Sequence, residues 1–126
     1  MALGEILFAR MTTAPAVATL IDQRCYPLTL PQETPLPAVS YQGDGWGDSS
    51  GSGVLEQNRV RVNAWSLSYA GSISLAAALV TALDGYQAKT ATPPLIGMAL
   101  ENRQEVFEPE TGLYGVVLDF SAWVVE

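Results

Sequence analysis

Gly47-Asp48-Ser49-Ser50-Gly51 fits the G-x-S-x-G spacing that can place a serine nucleophile on a tight turn. Such a serine needs a base to take its proton, normally histidine, and the chain contains no histidine. A strand pattern also follows the motif where a helix is required, so the stretch reads as a Gly/Ser loop. A phosphate cradle fails for a similar reason: there is no GK[ST], and the one lysine, Lys89, is distant in sequence. With no histidine and the single Cys25, zinc lacks its preferred ligands. Asp44 and Asp48 could approach calcium, yet no EF-hand spacing or closing glutamate accompanies them. Glu105, Glu108 and Glu110 are the last group able to do chemistry, since paired carboxylates can act as general acid and base. Their place at a polar turn makes solvated surface the better reading. The expectation is a protein without catalytic, cofactor or metal sites.

Composition narrows the classes further. The 126 residues suit one domain spanning 1–126; 48 % are apolar and only 15 % charged. A surface so poor in charge points to burial against other subunits. Thirteen acids against six bases give a net charge of −7, which disfavours both phosphate-mediated nucleic-acid binding and attachment to an anionic membrane. One cysteine rules out an internal disulfide and fits a reducing compartment such as the cytosol. The opening MALGEILFARMTT does not have the form of a secretory signal, and no apolar run approaches the roughly 20 residues of a membrane span.

The elements that would position these residues can be read from periodicity. Leu3, Ile6, Leu7 and Met11 have helical spacing over residues 2–12. Thr13 is placed to cap a second short helix containing Pro15, Val17, Leu20 and Ile21. Residues 25–37 carry four prolines and read as an extended edge or a fixed loop. A short strand over 38–42, with Val39 and Tyr41 on one face, precedes a loop over 43–53 containing Trp46. A second strand over 54–66 puts Val60, Val62 and Ala64 on one face and Arg61, Asn63 and Trp65 on the other. The main helix, capped by Ser66 or Ser68, is expected to bury Ile73, Ala76, Ala77, Val80 and Leu83 and to stop at Gly85.

The chain closes on a long hairpin, residues 95–107 and 113–125, joined by the five-residue loop Glu108 to Gly112. Opposing Phe107 to Leu113 would align Ile96, Met98, Leu100 and Val106 with Tyr114, Leu118, Phe120 and Val124. Strands and helices are segregated, so the expected fold is α+β: a single antiparallel or mixed sheet with helices on one face. The other face, with Leu113, Val117, Trp123 and Val125 beside Asp119 and Ser121, and Trp65 on the middle strand, is then too apolar for water alone. Trp46, Trp65 and Trp123 are candidate interface anchors, because tryptophan favours such places. Asp44, Asp48, Glu108, Glu110 and Tyr114 are the further candidates, from the loop and the hairpin end.

Three passages carry a resemblance: Tyr26-Pro27 through Tyr41, the Val60, Val62, Trp65 strand, and Glu108-Pro109-Glu110-Thr111-Gly112-Leu113-Tyr114. Together with the element order, over roughly residues 3–125, the chain resembles the tail terminator (tail-completion or tail-to-head joining) proteins of long-tailed bacteriophages and gene transfer particles. Gly71, Ser72 and Ser74 depart from the pattern, standing where charged residues are usual. The resemblance implies a structural virion protein forming a hexameric ring at the head–tail junction. It implies contact with the tail tube protein and a head-completion or neck protein, with DNA passing through unbound. Another neck or tube-like ring protein of the same particle is the near alternative; a small acid–base enzyme is the distant one.

Overall fold

The computed structural model describes residues 2–44, 55–91 and 94–125. Its strands are β1 (Cys25–Pro27), β2 (Ala38–Asp44), β3 (Leu55–Ser66), β4 (Leu95–Glu108) and β5 (Leu113–Val125). They form one mixed sheet in the order β1-β2-β3-β5-β4. The pairs are antiparallel except β1 with β2, which run parallel. The helices α1 (Ala2–Thr13), α2 (Pro15–Ile21) and α3 (Tyr69–Leu83) pack on one side. The fold is α+β with a long C-terminal hairpin, as the segregation of patterns implied. Among the described residues no helix is long and apolar enough to cross a membrane.

Strand alternation builds the core. Val39 and Tyr41, then Val60, Val62 and Ala64, then Val116, Leu118, Phe120, Ala122 and Val124 all turn to the helices and are buried. Leu3, Leu7 and Met11 of α1 and Val17 and Ile21 of α2 meet them. Each buried Val, Leu, Ile, Phe or Met among them contributes about 1.5–3 kcal/mol by leaving water.

The main helix is rotated from its expected stripe. It buries Ser72, Leu75, Ala76, Leu79, Ala82 and Leu83, while Ala77 is exposed and Ile73 and Val80 are only half-buried. A run this apolar allows more than one stripe, and the larger leucines take the sheet side. Ser68 is the cap, accepting from the Gly71 amide at 3.0 Å. Two of the small residues at the helix start, Gly71 and Ser72, have a structural cause. A Cβ on Gly71 would collide with the Ser66 and Ser68 hydroxyls, and the buried Ser72 hydroxyl donates to the Tyr69 carbonyl at 2.7 Å. Gly85 ends the segment at φ +78. Thr13 does not cap α2: Ala14 stands at that position without a side-chain bond, and the Thr13 hydroxyl donates back to the Ala9 carbonyl.

The hairpin register differs from expectation near its turn. Glu108 opposes Leu113 and Phe107 opposes Tyr114, so the loop is one residue shorter than five. The ladder regains the expected pairing at Leu100↔Phe120 because a bulge leaves Glu101 without a partner. A second irregularity at Ile96 brings Leu95 opposite Val124. Val106 and Ile96 therefore leave the expected face. Val106 opposes Gly115 on the side away from the helices, and Phe107 joins Tyr114 on the helix side.

Candidate assembly interface

The sheet face away from the helices is not uniformly apolar. Its centre is polar and mutually satisfied. Arg61 Nε donates to Asp119 Oδ1 at 2.8 Å, and Gln57 Nε2 donates to Ser121 Oγ at 2.8 Å. The ion pair is half-exposed and adds little stability. The apolar residues gather at the ends of this face: Trp123 at one, Trp65 and Leu113 at the other.

Trp65 forms the floor of a cleft of about 540 Å³. The ring lies over Gly115, where an added Cβ would come within 2.6 Å of it and 3.0 Å of Val106. Its Nε1 donates to Ser40 Oγ at 3.0 Å, and Asn63 Nδ2 donates to the same oxygen at 3.1 Å. One wall is the proline-rich loop after β1, bringing Leu28, Leu30 and Leu36; the other is the hairpin end, with Glu108, Thr111 and Leu113. Leu28 holds the positive φ of 69 that bulky residues rarely adopt, yet its side chain is 67 % exposed at the cleft. Leu67, also lining the cleft, is 68 % exposed.

The opposite face of the same hairpin end carries a second cluster. Phe107 and Tyr114 have ring centroids 4.8 Å apart, and Tyr69 from the start of α3 meets Tyr114 edge-on at 6.2 Å. The Tyr69 hydroxyl donates to Glu105 Oε1 at 2.8 Å. That hydrogen bond, and then the carboxylate charge, raise the Tyr69 hydroxyl above the ordinary phenol range. Outward from the bulge, β4 is an open sheet edge whose residues 101–105 are all exposed.

The candidates thus separate. Trp65 and Glu108 share the cleft, Tyr114 belongs to the aromatic cluster behind it, and Glu110 lies exposed in the turn. Trp123 is half-buried at the far end of the face. Asp44 ends β2 opposite Arg59, while Trp46 and Asp48 lie outside the described residues, as does the G-x-S-x-G stretch. Glu105 and Glu108 occupy opposite faces of β4, so the three glutamates do not converge on one reacting point. Among the described residues no group of three or more His, Cys, Asp or Glu could hold a metal. Leu28, Leu36, Leu67 and Phe107 were missed as site residues. Leucines alternating with prolines and the odd-numbered hairpin aromatic were the available signals.

Similarity to known proteins completes the picture. No curated protein sequence matches the chain. A chain in the virion of a native gene transfer agent (GTA) particle has the same fold, with a TM-score of 0.79 at 18% identity, covering 99% of this chain and 96% of that one. The family model described as "Tail completion protein gp17" matches residues 5–125, and the chain belongs to that family.

Proposed function

We propose that the protein is a non-catalytic structural component of a phage-type tail, that its copies close into a hexameric ring, and that the ring caps the tail tube and joins it to the head. The observation that carries the oligomer is the apolar surface around the hairpin end: Phe107 and Tyr69 stand exposed on the helix side, Leu28 and Leu67 at the cleft on the other side, beside an open β4 edge. One copy alone leaves all three to water, and neighbours around a closed ring would cover them. Family membership and the GTA likeness support the tail setting. The partners in this reading are the tail tube protein on one side of the ring and a head-completion or neck protein on the other. Assembly takes place in the host cytoplasm and the product stays in the virion. Deleting the gene tests it: overlong tails or unjoined heads and tails, seen by electron microscopy, are expected. Normal particles would refute the role.

A further inference from the structure

We propose that the copies join head to tail, the aromatic cluster on the helix side of one hairpin seating in the Trp65 cleft of the next copy. The inference rests on the ring reading and specifies which two surfaces meet. Phe107 and Tyr69 are 51 % and 53 % exposed, although aromatic rings of that size favour buried anchoring positions. The cleft offers a complementary apolar floor at the hairpin's other face. Because the two patches lie back to back across the same two strands, a chain cannot place its own cluster in its own cleft. An interface that pairs two patches on opposite faces is heterologous, and it closes a ring where the rotation between copies divides a full turn.

Charge selects the same partner. The cleft lining includes Glu33 and Glu108 and, among the described residues, no lysine or arginine. The helix-side face of the hairpin presents Arg103, opposite Leu118 and two positions before Glu105 on that face. Arg103 is exposed and makes no ion pair among the described residues. Glu105, its neighbour on that face, keeps its charge while accepting from the Tyr69 hydroxyl, so Arg103 is the group of this patch that a cleft carboxylate attracts. In a chain with six bases against thirteen acids, a base beside exposed aromatics faces a cleft that supplies acids and apolar surface.

Thiol cross-linking in assembled particles tests the pairing, since the native Cys25 is buried. In a chain carrying both Leu28→Cys and Phe107→Cys, oxidation should give a ladder of disulfide-linked multimers, and neither single variant should give one. A particle that keeps its oligomer but yields no ladder, or yields only Phe107→Cys dimers in the single variant, overturns the pairing and leaves the ring reading standing. Cross-linking of Leu28→Cys to a tube or neck protein overturns it as well, by assigning the cleft to that partner. A single copy per particle overturns both. Independently, Arg103→Glu should weaken self-association at least tenfold, and adding Glu33→Arg should recover most of it. No effect of Arg103→Glu, or a loss that Glu33→Arg does not recover, overturns the contact.

Discussion

Leu28 shows how one residue can be placed at a cost to the isolated chain. An L-residue at its positive φ costs about 1–2 kcal/mol, and a side chain two-thirds exposed recovers little by burial. Leu28→Gly is therefore expected to leave the monomer as stable or to stabilise it by about 0.5–1 kcal/mol in urea unfolding, while weakening self-association in sedimentation. Cys25 gives the opposite case, a group whose burial is purely internal. At 3 % exposure its thiol is pushed up from 9.0 to about 12 by desolvation. Below pH 9 the thiol is protonated in folded and unfolded chains alike. Between 9 and 12 only the unfolded chain releases the proton, so stability falls as pH rises, by about 1.4 kcal/mol per unit. Denaturation of the native chain and of Cys25→Ala across that range should show the steeper loss in the native chain. The native thiol should also resist alkylation until the chain unfolds. Neither property could be read from sequence, since a lone cysteine and a leucine between prolines carry no mark of burial or φ.

At the scale of elements, alternation and helical spacing were legible where one side of an element is buried. Val60, Val62 and Ala64 on β3 and Leu3, Leu7 and Met11 on α1 are examples. The α3 stripe was less so, because LAAALV offers apolar residues all round and the sheet chooses among them. The hairpin register failed at its tip for a different reason: a bulge adds a residue to one strand without altering the apolar pattern of the other. Since Leu100 opposes Phe120 and Asn102 opposes Asp119, deleting Glu101 should restore an unbroken ladder from Gly97 to Glu108. The Phe107–Tyr114 ring contact should survive, visible as a cross-strand nuclear Overhauser effect. Loss of that contact would show that the bulge is needed to hold the tip in register.

For the whole molecule, net charge makes a prediction independent of the fold. With −7 per copy and six bases, assembled protein should not retain double-stranded DNA in fluorescence anisotropy even at low salt, where phosphate contacts are strongest. Salt-sensitive micromolar binding would contradict a passage through which DNA slides freely. The sequence alone determined the α+β class, the terminal hairpin and the lack of a histidine-dependent centre, because these depend on local periodicity and residue type. The cleft was decided only by tertiary structure. Its floor is Trp65 on β3, its walls are a loop before β2 and the end of β4–β5, and the ring over Gly115 is set by packing between strands. Sequence spacing cannot encode such a meeting directly, since the distances that matter there run across the sheet and not along the chain.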